Sequence, residues 1–270
     1  MTKKTKIISS VACLIASATI SMANEATAAT DGVAVLMANQ AALAEQKNWE
    51  TKISLGYELN NGNSESESFS GAISTEKNVG VWRLDAKAEG AYKETTTKDA
   101  EGKKVDEQTE GNAKAKVDLK RLFGSFFVYA GEELSHDAIA DVKYRSITSL
   151  GLGAFIWDAP EFRFPISVGL AYVTEEAPEK DDYLALRFTE ETTWQANANL
   201  KLWQKFEFIP EVSDFDNILI NGEIGGETKL TESLALTIKY VVEYDAEADK
   251  EDPTIETTDS KFITQITYSF

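Results

Sequence analysis

The sequence predicts an all-β fold, a transmembrane antiparallel up-and-down β-barrel of about twelve strands with both termini periplasmic. Three observations carry this prediction. The chain opens with a basic, then apolar, then small-residue leader. Apolar and polar residues alternate with period two from Trp49 to Phe270. Short and long connections also alternate between those segments, as they do in barrels that cross an outer membrane.

Lys3, Lys4 and Lys6 form the basic part of the leader, and Ile7 to Ile20 its apolar part. Small residues follow at Ser21 to Ala23 and at Ala26 to Ala28, so residues 1–28 read as a secretory signal peptide cleaved after Ala23 or Ala28. Ser9, Ser10, Ser17, Thr19 and Ser21 make the segment too polar and too short for a membrane helix. A lipoprotein reading would cut before Cys13, but Ser10 stands where leucine is usual. With the leader removed no thiol remains, which excludes disulfides and cysteine-ligated metals. The 270 residues carry a formal net charge of −18, which argues against nucleic acid as a partner.

Residues 29–48 read as a short periplasmic helix or arm, and residues 49–270 as the barrel. In the first strand Trp49, Thr51, Ile53, Leu55, Tyr57 and Leu59 share one face, opposite Glu50, Lys52, Ser54 and Glu58. A second strand lies near Phe69 to Lys77. In the third, Trp82, Leu84, Ala86, Ala88 and Tyr92 alternate with Arg83, Asp85, Lys87 and Glu89. In the fourth, Ala113, Ala115, Val117 and Leu119 alternate with Lys114, Lys116, Asp118 and Lys120. Strands follow at Ser125 to Leu134 and Lys143 to Phe155, and through Phe126 to Leu134 and Tyr144 to Phe155 the pattern leaves open which face is which. Phe162 to Tyr172, Tyr183 to Ala196, Leu200 to Phe208, Ile218 to Ile224 and Leu234 to Tyr244 follow, and Phe262 to Phe270 closes the series.

A soluble sandwich or lipocalin-like barrel also alternates. The charges decide against both. On the well-patterned strands the apolar face carries no charged residue, while the other face holds both signs in near balance. A charge at mid-bilayer costs roughly 2–4 kcal/mol, so an apolar exterior and a charged lumen are expected. Short turns are predicted at Asn78 to Gly80, Leu122 to Gly124, Trp157 to Glu161, Asn197 to Asn199 and Lys229 to Glu232. Longer loops are predicted at Asn60 to Glu67, Thr95 to Gln108, Ser135 to Val142, Glu175 to Asp182, Glu211 to Asp216 and Asp245 to Asp259. Two residues resist the pattern. Pro165 lacks a ladder N–H and predicts a bulge, and Glu190 falls on an apolar face, so either a bulge shifts the register or its strand leaves the apolar band early.

Several segments, "GNSESESFSG", "WRLDA", "YRSITSLGLGAF", "DYLALRF", "FIPEVSDFDN", "SLALTIKYVVEYD" and the closing "TYSF", resemble the salt-induced outer-membrane protein family, a barrel family with a domain of unknown function. The resemblance covers Trp49 to Phe270 and implies a bacterial outer-membrane location. It carries no established active site, so no catalytic residue transfers. Glu190 departs from it.

The single histidine, His136, lies between Ser135 and Asp137. Histidine suits general base work, yet sequence neighbours do not define a triad, and a solvated loop histidine is the commoner case. Acidic clusters at Glu175, Glu176, Glu179, Asp181 and Asp182, and at Asp245, Glu247, Asp249, Glu251 and Asp252, lack the glycine-punctuated spacing of a calcium loop. They suit a solvated face with weak divalent-cation bridging to lipopolysaccharide. Trp49, Tyr57, Trp82, Tyr92, Tyr172, Tyr240, Tyr244, Tyr268 and Phe270 read as interfacial anchors. The final strand, ending at Phe270, resembles the signal read by the barrel-assembly machinery. No catalytic, cofactor-binding or metal residue is predicted, and no enzyme activity. The expected role is a narrow, weakly cation-selective porin-like pore or a stress-related envelope protein, with a purely structural barrel and a lipid-modifying enzyme using His136 as alternatives.

Overall fold

The computed structural model describes residues 49–60, 65–98, 104–138, 142–177, 179–248 and 257–270. The predicted signal peptide and arm lie outside these residues. Twelve strands run in chain order: β1 (Trp49–Asn60), β2 (Glu65–Val79), β3 (Trp82–Lys98), β4 (Lys104–Phe123), β5 (Phe126–Asp137), β6 (Val142–Asp158), β7 (Phe162–Ala177), β8 (Glu179–Gln195), β9 (Leu200–Pro210), β10 (Ile218–Lys229), β11 (Leu234–Asp245) and β12 (Thr258–Ser269). Each pairs antiparallel with its sequence neighbours, and β12 returns to β1 to close the barrel. Every predicted strand is present.

The turn end of the barrel is tight. Gly80 and Gly124 take φ of 57° and 65° at the first position of two-residue turns, a conformation that favours glycine. Two predicted loops at the other end prove to be largely strand. The β3–β4 ladder continues to Lys98 opposite Lys104, and the β7–β8 ladder to Ala177 opposite Glu179. Those residues are too polar to show an apolar face, but backbone hydrogen bonding does not need one.

The outer surface carries the apolar face. Leu150 is 66% exposed, Leu152 63%, Ile224 57% and Leu55 54%, a distribution that only a lipid surround explains. Trp49, Phe123, Phe126, Trp157, Trp194 and Phe270 ring the turn end, and Tyr57, Tyr92, Tyr144 and Tyr244 lie toward the loop end. Backbone polar groups of a membrane-crossing sheet must pair within it, and closure brings Lys52 to Leu55 of β1 into register with Ser269 to Ile266 of β12.

Pro165 has the predicted bulge, carried by its neighbour. The β6–β7 register shifts between Phe155 and Trp157, opposite Pro165, and on the other side the β7–β8 ladder passes from Arg163 to Ile166. Glu190 sits in register opposite Ile166 and Phe206, with no shift, so its strand leaves the apolar band early. Thr192 Oγ1 and Gln204 Nε2 donate to its carboxylate, beside the girdle residue Trp194. A second outward carboxylate, Glu132, was hidden by the ambiguity of β5. It accepts from Ser146 Oγ at 2.5 Å and Thr148 Oγ1 at 2.6 Å.

Candidate functional site: the lumen

The ambiguity of β5 and β6 has a physical cause: their inward residues are also large and apolar. Phe127 and Tyr129 of β5 lie flat across the wall of β6 and β7, packed on Gly151, Gly153 and Gly169. A Cβ on Gly169 would stand 2.5 Å from the Tyr129 hydroxyl, and one on Gly151 2.6 Å from its ring. Glycine is therefore required there by close approach. Phe155 tilts against Phe127, with centroids 5.2 Å apart. Nearer the loop end Ile147, Ala171, Val173, Tyr183, Ala185, Ile209 and Leu219 form a buried apolar cluster, also inside. One side of the lumen, along β5 to β10, is thus filled by side chains.

Charged groups cross what remains, and they can be followed up β4. Lys120 meets Asp85 at 3.2 Å and Glu191 of β8 at 3.7 Å. Asp118 stands 3.7 Å from Arg187, whose Nε donates to Glu207 and whose guanidinium covers the Tyr129 ring. Lys116 reaches Glu133 at 3.1 Å and Glu207 of β9 at 3.3 Å. Lys114 reaches Glu243 of β11 at 2.5 Å. Elsewhere Lys239 of β11 binds Glu89 of β3 at 2.8 Å and Glu223 at 3.3 Å, and Lys52 of β1 binds Glu227 of β10 at 2.8 Å. Arg145 of β6 joins Glu175 at 2.5 Å and also Asp245 of β11.

The partners are often far apart around the wall. Between β4 and β11 stand β3, β2, β1 and β12 on one side and β5 to β10 on the other. The near balance of the two signs is legible in the sequence; pairing across the interior is what the structure adds. A vestibule open to solvent is lined by Lys114, Glu133, Arg145, Glu243 and Asp245. A second, smaller space is lined by Asp118, Lys120, Arg187, Thr189 and Glu191. Lys116 and Glu207 belong to neither lining and lie between them along β4 and β9.

His136 occupies a register shift at the end of β5, between Ser135 and Asp137. Its Nδ1 lies 3.0 Å from the Val142 carbonyl and 3.2 Å from that of Lys143, so this nitrogen donates and is committed to the backbone. Strand alternation also divides the first acidic cluster, turning Glu175 inward to Arg145. Among the described residues no group of three or more metal-ligating side chains converges.

A closed antiparallel barrel with an apolar exterior and a charged interior defines a transmembrane β-barrel of the outer-membrane type, and the outer membrane is where this chain resides. The chain belongs to the family described as "Protein of unknown function, DUF481", whose pattern matches residues 53–270. No curated protein matches it. Among solved structures it is similar to the NanC porin (9% identity, 80% of this chain and 98% of that one, TM-score 0.48). It is also similar to the translocator domain of autotransporter NalP from Neisseria meningitidis (8%, 96% and 99%, 0.43) and to the KdgM porin (9%, 82% and 99%, 0.40). Values this low pass no property from those proteins to this chain.

Proposed function

We infer that the protein is a narrow, porin-like pore whose lumen is closed down by transverse ion pairs. The observation that supports this most is the bonding of Lys114 and Lys116 on β4 to Glu243 and Glu207 on β11 and β9. Ion pairs in a wet lumen exchange partners with passing ions, whereas an apolar plug would not. Both chain ends of the barrel and all short turns lie at one end, which this reading places in the periplasm. The long loops then face outward, where Glu247 and Asp259 draw cations to the mouth and bridge through divalent cations to lipopolysaccharide. The reading gives His136 no catalytic part.

Refolded protein in planar bilayers should show a small conductance, mildly cation-selective at low salt and nearly unselective at high salt, because loop charges are screened beyond about 10 Å at 0.1 M. A large anion-selective channel would overturn this reading. Complete absence of conductance would favour the purely structural barrel, in which the same ion pairs serve to hold the wall.

A further inference from the structure

The outward face of β1 to β4 is charged at both ends, with opposite sign. At the loop end it carries carboxylates. Glu67 accepts from the Tyr57 hydroxyl at 2.8 Å, and Glu94 from the Tyr92 hydroxyl at 2.9 Å. At the turn end it carries cations, Lys77 of β2 and Arg121 of β4. No outward residue of β1 to β4 at that end is acidic.

Both cations rest on aromatic rings of the sheet itself. Lys77 stands in register opposite Trp49, with its Nζ 4.5 Å from the ring centre. Trp49 Nε1 donates to Thr75 Oγ1 at 2.7 Å, which holds that ring across β1 and β2. Arg121 stands opposite Trp82, and its guanidinium lies 5.2 Å from that ring and 5.4 Å from Phe123. Among the described residues neither cation has an anionic partner. Arg163, at the same end, differs: it meets Asp158 at 3.1 Å. Aromatic girdles sit at the level of the lipid head groups, so the anion on offer to Lys77 and Arg121 is a lipid phosphate.

We propose that Lys77 and Arg121 form a binding site for the phosphate of an anionic phospholipid in the leaflet at the turn end. The guanidinium fork takes two phosphate oxygens at once. Lys77 lies two strands away across β3, at about 10 Å, and adds the charge that favours a net negative head over a zwitterionic one. The acyl chains run up the barrel against Leu84 and Leu119, which pair between the two cations. In the opposite leaflet the same head group would meet Glu67 and Glu94 and be repelled. Phospholipid rather than lipopolysaccharide is the occupant because the orientation proposed above turns this end to the periplasm. The site itself stands whether or not the lumen conducts.

The full chain is reconstituted in vesicles of equal parts phosphatidylglycerol and phosphatidylethanolamine, which offer phospholipid in both leaflets and so test the site apart from that orientation. After release in mild detergent, native mass spectrometry counts the lipids that remain bound. Phosphatidylglycerol should be retained in preference to phosphatidylethanolamine. Lys77→Gln and Arg121→Gln should each lower that preference about fivefold, the weight of one cation at an anionic surface, and the double variant should bring the ratio near one. Arg163→Gln removes a cation that already has its carboxylate and should leave the ratio unchanged. A wild-type ratio near one, a double variant that keeps the preference, or an equal fall in Arg163→Gln would overturn the proposal. The wild-type ratio depends on no variant folding, and the heat-modifiable band on gels shows which variants have folded.

Discussion

Tyr129 lies flat against the β6–β7 wall, with its hydroxyl over Gly169 and the Arg187 guanidinium across its ring. That hydroxyl is buried with no hydrogen-bond partner among the described residues. A buried, unpaired hydroxyl costs about 1–3 kcal/mol, so Tyr129→Phe should leave stability unchanged or raise it. Urea unfolding in detergent micelles measures this, and a loss beyond about 1 kcal/mol would show that the hydroxyl does have a partner. Trp203 repeats the device on β9: all the nearest atoms to a Cβ on Gly225 belong to its indole. Gly225→Ala should cost about 1–3 kcal/mol by overpacking, and far less once Trp203→Ala has made room. Additive losses in that cycle would mean the glycine serves another purpose. The alternation of the glycines in "LGLGAF" is legible in the sequence. Their purpose is not, because the aromatic rings that cover them come from β5, a separate strand.

At the scale of the element, the best-read strands are those with an apolar outside and a charged inside, such as β3 and β11. Period two in β3 is visible as far as Tyr92; the strand then runs on through Glu94 and Thr96 to Lys98, where nothing apolar marks it. β5 and β6 were hard to orient because Phe127, Tyr129, Ile147 and Phe155 fill the lumen and mimic the lipid face. Pro165, with no N–H to give the ladder, was enough to predict the bulge but not that β6 would carry it. β12 is the element whose formation closes the barrel, and Phe270 bonds through its backbone to Thr51 of β1. Its ring also packs on Tyr268, with centroids 5.7 Å apart. Phe270→Asp places a charge in the girdle, and it tests the proposal that the last strand is read by the barrel-assembly machinery. The variant should accumulate unassembled in the periplasm, without the heat-modifiable band of a folded barrel on gels. Normal assembly of this variant would count against a recognition role for the last strand.

Across the whole molecule, the inward placement of Lys114, Lys116, Glu207, Lys239 and Glu243 follows from alternation alone. Their partners do not, since a diametric contact depends on how the barrel closes and which side its core fills. Glu207 joins these two facts. It receives Arg187, whose side chain is 6% exposed, and Lys116 from across the lumen. Removing one member of a buried ion pair leaves the others uncompensated, at about 3–5 kcal/mol. Glu207→Gln should therefore destabilise the barrel and leave net positive charge between the two lined spaces, shifting selectivity toward anions at every salt concentration. Replacing Glu247 and Asp259 at the loop end with their amides should act differently. The pull on cations at the mouth would fall at low salt, while conductance at high salt, where those charges are already screened, would not change. Comparing the two variants in bilayers separates a selectivity set by the internal pairs from one set by the loops. If both shift selectivity equally at high salt, the loop charges reach into the lumen itself, and the division between mouth and constriction fails.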